Sequence, residues 1–274
     1  MTIVAISREL GSGGNTIAAA VAKALQFMFV DREILLQAAQ ASGVPEAQIA
    51  DVDARRLNLW ERFDGEKWRY LTFIEAAYFR FAERGNVVTA GRGGPFFLRG
   101  IDHALKVKIM APLDVRIRRV MVQDRVDERT ATAKVQAYHR AICGRIDYLF
   151  GLDWTQPDHY DLVLNTTDDR WGFYTDLLVA AARHPRYQPT PESLQALHDR
   201  SLAVQVRAAI ASDPLVKNLT LEVTAHAGQV TLMGVVLDPA LMEAALKIAR
   251  RVPGVTQASG ERVEIAPMYL GPVM

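Results

Sequence analysis

The chain has 274 residues, 50% of them apolar and 23% charged, with a formal net charge of +1. That length holds one large domain or two smaller ones, and the apolar share excludes a disordered chain. The near-neutral charge argues against a nucleic-acid-binding field, and the single cysteine, Cys143, excludes an intramolecular disulfide and any cysteine-built metal site.

Residues 2–6 form a short apolar run that predicts a buried strand. The run stops before Ser7-Arg8-Glu9, too short for a signal-peptide core, and no stretch approaches the roughly 20 apolar residues of a spanning helix, so a soluble, cytoplasmic protein is expected. A glycine cluster follows, Gly11-Ser12-Gly13-Gly14, and opens onto a helical pattern at 15–25. This is the layout of a phosphate-binding loop. Glycines let backbone N–H groups converge on an anion, and the helix that follows points its positive end at it. Against the pattern G-x-x-x-x-G-K-[ST], Gly14 and Thr16 match, Glu9 stands at the first glycine and Asn15 at the lysine. Thr16 can place its hydroxyl on a phosphate-bound Mg²⁺; Asn15 can donate a hydrogen bond but brings no charge.

A second strand is expected at 27–30, with Asp31 capping a helix through Ile34, Leu35 and Ala38. Residues 45–83 read as mostly helical and rich in aromatics, among them Trp60, Phe63, Trp68, Tyr70 and Phe73. Further strands are expected at 86–90, 105–110 and 161–165, the first ending in Gly91-Arg92-Gly93-Gly94 and the others followed by helices. Strands alternating with helices imply an α/β fold, a parallel sheet with helices on both faces. On the helix starting at Leu113, Arg116 and Arg119 share a face away from the apolar stripe of Leu113, Ile117, Val120 and Met121. Prolines 185, 189 and 191 mark a linker, placed at 185–198. A helix expected at 194–211, a hairpin, a second helix and a last strand make a small α+β domain in the order α-β-β-α-β, placed at 199–268.

Ordered stretches over nearly all of 1–184 carry a family likeness. They are ISRELGSGGNTIA from Ile6, FVDREIL from Phe29, VVTAGRGG from Val87, and a set running from IMAPL at Ile109 through Arg116 and Arg119 to GLDW at Gly151 and YDLVLNT at Tyr160. This part resembles the cytidylate kinase-like family, a divergent branch of the P-loop nucleoside-monophosphate kinases. The resemblance implies phosphoryl transfer from ATP to a nucleoside monophosphate with Mg²⁺. It implies that Gly11, Ser12, Gly13, Gly14, Asn15 and Thr16 hold the donor phosphates, that Asp31, Arg32 and Arg92 line the acceptor side, and that Arg116 and Arg119 flank the donor nucleotide. Arg125, Arg129, Arg140 and Arg145 fall where a mobile lid would lie; Arg140 and Arg145, with Arg92, are the catalytic candidates. This chain departs from the family at Asn15 and Pro95, where the family commonly carries charge, and at His139, Ile142 and Gly144, near which its lid commonly has an aspartate and arginines. Arg8, Arg32 or a lid arginine is left to compensate.

The C-terminal part resembles a BON domain, on Asp213-Pro214, GQVTLMGV from Gly228 and VPGV from Val252. The likeness implies phospholipid or small-ligand recognition, or dimerisation into a homo-oligomer. Lys217, Lys247, Arg250 and Arg251 could meet acidic headgroups there. Three readings follow: a nucleoside-monophosphate kinase with an appended BON module; a nucleotide sensor acting through that module; and a membrane-surface scaffold whose first domain is a catalytic relic. If the charge missing at residue 15 limits turnover, Asn15→Lys raises it in a steady-state transfer assay. An unchanged rate means that another group already supplies that charge.

Overall fold

The computed structural model describes residues 1–42 and 64–265. Trp60, Phe63 and the start of the aromatic-rich stretch lie outside the described residues. In chain order the elements are β1 (Ile3–Arg8), α1 (Gly14–Leu25), β2 (Met28–Val30), α2 (Glu33–Ser42), α3 (Asp64–Arg84), β3 (Val87–Ala90), α4 (Gly94–Phe97), β4 (Ala104–Met110) and α5 (Leu113–Asp124). They continue with α6 (Glu128–Phe150), β5 (Leu162–Asn165), α7 (Trp171–Arg183), α8 (Pro191–Ser212), β6 (Glu222–His226), β7 (Gln229–Val236), α9 (Pro239–Ala249) and β8 (Gln257–Ile265).

β1 to β5 form one parallel sheet in the order β2-β3-β1-β4-β5. Side chains alternate across a strand, and both faces of β1 are covered. Ile3 and Ala5 pack with Ile34 and Ala38 of α2 and Phe73 and Ala77 of α3. Val4 and Ile6 pack with Ile17 and Val21 of α1 and Leu178 of α7. That is why β1 reads as an unbroken apolar run. The chain leaves β1 toward β2 and β3, then crosses to β4 on the other side. The carboxyl end of β1 is therefore the switch point where ligands gather in open α/β sheets. Here the glycine loop after β1 faces the Gly91-Arg92-Gly93 turn after β3, and the Gly91 N–H donates to the Ile6 carbonyl at 2.7 Å.

The expected linker is shorter than 185–198, because α8 already begins at Pro191. Thr190 and Ser193 cap it reciprocally and Pro191 sits in its first turn, the arrangement that starts a helix most firmly. α8 is apolar on two sides. Leu197, Val204, Ala208 and Ala211 enter the core shared by α2, α3 and the sheet. Leu202, Val206 and Ile210 enter the core of the C-terminal unit with Leu232 of β7 and Leu246 of α9. In that unit β6 and β7 pair antiparallel and β7 and β8 parallel. The expected α-β-β-α-β order is thus observed, but its first helix belongs to both units.

Polar contacts reinforce the α3–α8 seam. Arg69 Nε donates to the Ala211 carbonyl at 2.8 Å, and Gln205 Nε2 to the Ala76 carbonyl at 3.0 Å. Arg207 pairs with the largely buried Glu75, whose carboxyl is pushed up by burial against the opposing pull of Arg207 and Arg200. Removing one partner of such a pair strands the other charge. Arg207→Met is expected to lower unfolding stability by about 3 kcal/mol in a urea titration, and Glu75→Met/Arg207→Met by clearly less.

Candidate phosphoryl-transfer site

The glycine loop is held by its carbonyls. Ser12 donates to the Glu9 carbonyl from its N–H at 3.1 Å and from its hydroxyl at 2.8 Å. The Ser12 carbonyl accepts the Thr166 hydroxyl at 2.6 Å, and the Gly11 carbonyl accepts Arg119 at 3.3 Å. These oxygens are turned back into the protein, and the first residues of α1, whose N–H groups have no intrahelical acceptor, line a cavity. Glu9, at the first glycine position of the pattern, anchors the loop: its buried carboxylate accepts the Ala111 N–H at 3.3 Å and pairs with Arg116 Nε at 3.2 Å. Gly11 has a φ of 82°, and a Cβ on it would stand 2.5 Å from the Arg116 carbonyl oxygen.

Two cavities meet over this loop. One, of about 360 Å³, is lined by Gly11, Gly13, Gly14, Asn15, Thr16 and Arg119, with the Trp171 indole at one end. Arg119 lies over that indole at 4.7 Å and pairs with Asp169 at 2.8 Å. The second cavity, of about 350 Å³, is lined by Gly91, Arg92 and Gly93 and by a stripe of α6 that includes Lys134, Ala141 and Arg145. The Trp154 indole N–H, one wall of it, donates to the Ser7 hydroxyl at 2.7 Å. Arg8, Leu10 and Tyr138 line both cavities.

Asp31, which lines neither cavity, is placed against two arginines that do, Arg8 at 3.4 Å and Arg92 at 3.5 Å. Its carboxylate is turned to these cations, and its N–H donates to the Glu33 carboxylate at 3.0 Å at the start of α2. Burial, helped by Arg8 and Arg145, pulls Arg92 down to about 10 against the opposing pull of Asp31. Arg92 therefore stays charged at neutral pH.

The structure thus brings Gly11, Gly13, Gly14, Asn15, Thr16 and Arg119 to one cavity, Arg92 and Arg145 to the other, and Ser12 beneath the loop. Arg32 is exposed at the start of α2 and lines neither cavity. Besides Arg32, two sequence expectations are corrected. Arg116 does not share an open face with Arg119: it is buried, 9% exposed, and is committed to Glu9 and to the Ala111 carbonyl at 2.9 Å, while Leu113 of the supposed stripe is 46% exposed. The reason is that Glu9 offers a buried carboxylate beneath α5. Arg140 lies on the exposed side of α6, off the stripe that lines the second cavity. Of the expected lid arginines, Arg129, Arg140 and Arg145 lie on the long helix α6, with Asp127 accepting the Thr130 N–H at its start, and Arg125 ends α5.

Several groups escaped the sequence reading. Trp171, Tyr138 and Lys134 carry no local motif, and Trp154 stood in a family motif with no role attached. Trp154 is buried, with the Lys108 ammonium 4.4 Å from its ring centre. Asp153 accepts from the Thr155 N–H and hydroxyl, which hold its carboxyl below the usual range and shape the turn. Among the described residues no group of three or more His, Cys, Asp or Glu could hold a metal ion. A nucleotide-borne Mg²⁺ suits this set, since Mg²⁺ keeps most of its water and needs few protein oxygens. Thr16, exposed at the mouth of α1, is the hydroxyl available to it.

Fold and loop define a nucleotide-binding P-loop protein of kinase-like architecture. The chain belongs to the cytidylate kinase-like family, whose pattern matches residues 3–168, and it carries a BON domain matched at 198–258. A cytidylate kinase of Methanopyrus kandleri is 35% identical over 99 residues, 33% of this chain and 50% of that protein. One from Ignicoccus hospitalis is 26% identical over 167 residues, 61% of this chain and 90% of that protein. This chain spans half the length of the Methanopyrus relative and half of a cytidylate kinase from Methanothermobacter thermautotrophicus. An uncharacterized protein from Eubacterium ventriosum shares the fold with a TM-score of 0.52 at 18% identity, over 66% of this chain and 98% of that one.

Gly13 has a φ of 74°, and a Cβ on it would run into the Trp171 ring. Gly13→Ala is expected to cost about 1–3 kcal/mol of stability and to shift Trp171 fluorescence. Both are read in one denaturation series.

Proposed function

We propose that this protein is an ATP-dependent nucleoside-monophosphate kinase of cytidylate type, working in the cytoplasm, with the BON domain as a recognition module for a phospholipid or small ligand. The observation that carries the reading is the pair of cavities sharing one wall, one over the glycine loop and one beside Arg92. A loose phosphoryl transition state needs donor and acceptor in line and positive charge around the transferring group, and little covalent help.

In this reading the loop amides and Thr16 hold the ATP phosphates, and Arg119 and Trp171 flank the donor base. Mg²⁺, bound with the nucleotide, neutralises charge on the phosphate oxygens. Arg92 takes the acceptor phosphate through its planar fork, and Arg145 adds a second charge from α6. A guanidinium already desolvated and paired with Asp31 has little water to lose when a phosphate arrives. Asn15 favours one alternative, a domain that binds nucleotide with little turnover and reports through the BON domain.

Single-turnover transfer from labelled ATP·Mg²⁺ to CMP, dCMP, UMP and AMP separates the two. Transfer to one acceptor supports the kinase and names its substrate; tight ATP binding without transfer supports the sensor. Arg92→Ala is expected to weaken monophosphate binding on the order of 10–100-fold while sparing ATP. Equal loss of both ligands by a folded variant would take Arg92 out of the acceptor site.

A further inference from the structure

Arg8 closes β1, and its side chain lies across the loop. Its stem packs so closely under Gly14 that a Cβ on that glycine would strike it, and its guanidinium so closely against Gly91 that a Cβ there would do the same. Nε donates to Asn15 Oδ1 at 2.6 Å, and one terminal nitrogen faces Asp31 at 3.4 Å. Of the side chains lining both cavities, Arg8, Leu10 and Tyr138, it is the cation.

We propose that Arg8 supplies, from the wall between the two cavities, the positive charge on the transferring phosphoryl group that the loop lacks at residue 15, and that Asn15 is its positioning residue. This rests on the phosphoryl-transfer reading above. In that step a bond forms between an acceptor phosphate oxygen and the γ-phosphorus as the bond to the β–γ bridging oxygen breaks, and the electron pair leaves with ADP. Negative charge spread over the γ-oxygens meets the Arg8 guanidinium, which neither gains nor loses a proton. Asn15 turns its carbonyl oxygen to Arg8 and so orients the fork. A lysine at 15 would remove that acceptor and set a second cation against the first. On this proposal the two charges are alternatives, and a lysine at 15 duplicates what Arg8 already supplies.

That exclusivity gives a test whose sign depends on the background. ATP·Mg²⁺ affinity by calorimetry, single-turnover transfer and thermal midpoint are measured for the full chain and for Arg8→Gln, Arg8→Lys, Asn15→Lys and Arg8→Gln/Asn15→Lys. Arg8→Gln is expected to lose on the order of 10–100-fold in ATP affinity, and Arg8→Lys less. Asn15→Lys alone is expected to bind no tighter than the unmodified chain, whereas adding it to Arg8→Gln recovers about tenfold. Rescue by a charge at residue 15 would not follow from a purely structural role of Arg8. The proposal is overturned by ATP affinity of Arg8→Gln within about twofold of the unmodified chain, by a double variant no better than Arg8→Gln, or by an unmodified chain that binds no ATP. Should Arg8→Gln fail to fold, Asn15→Lys alone decides, since a roughly tenfold gain in affinity there contradicts exclusivity and its absence supports it. Binding without transfer in the unmodified chain would sink the kinase reading but leave the affinity series to decide the role of Arg8.

Discussion

The site depends on what happens to the loop's carbonyl oxygens. A glycine-rich turn presents N–H groups to an anion only if its C=O groups are satisfied elsewhere, because an unsatisfied carbonyl would compete for the same space. Here Ser12, Thr166 and Arg119 take the carbonyls of Glu9, Ser12 and Gly11, and the Glu9 carboxylate ties the turn to Arg116 and Ala111. The donors come from α5, from the end of β5 and from the loop itself. The phosphate cradle is therefore a property of the assembled sheet. Glu9 in place of a glycine strengthens this anchoring, since a buried carboxylate with two donors sets the loop more firmly than a flexible residue would.

A second consequence concerns charge. Arg8, Arg92 and Arg145 converge on neighbouring volumes, and Asp31 is placed beside the first two. Like charges this close destabilise one another unless an anion stands between them. Asp31 offsets part of that repulsion; burial is the main reason that Arg92 is pulled down, with Arg8 and Arg145 adding to it. A dianionic phosphate entering the second cavity would complete the compensation. The excess of positive charge favours an anion over a neutral ligand in the space beside Arg92.

The BON domain is not hung on a tether. α8 lies in the cores of both units and packs on α3, α3 packs on α2, and α2 starts just after Asp31 and Arg32. Tight packing transmits displacement, because close-packed interiors have little free volume to absorb it. A chain of packed helices therefore runs from the BON core to Asp31 and the two arginines that it pairs with.

The sequence by itself determined the alternating α/β order, the glycine loop at the end of β1, the GRGG turn at the end of β3 and the α-β-β-α-β order of the second unit. Each is written in local periodicity and turn chemistry, which neighbouring residues decide among themselves. Only the tertiary structure decided which charged side chains reach the site. Arg116 turns inward because Glu9, far away in sequence, is buried beneath it; Arg140 turns outward because the cavity stripe of α6 runs through Lys134, Ala141 and Arg145. Trp171 closes on Gly13, and Arg8 spans from Asn15 to Asp31, through approaches that no local pattern encodes. The length of the linker was also decided in three dimensions. Three prolines suggested a break, but the Thr190–Ser193 cap and two apolar faces, each buried in a different core, extended α8 back to Pro191.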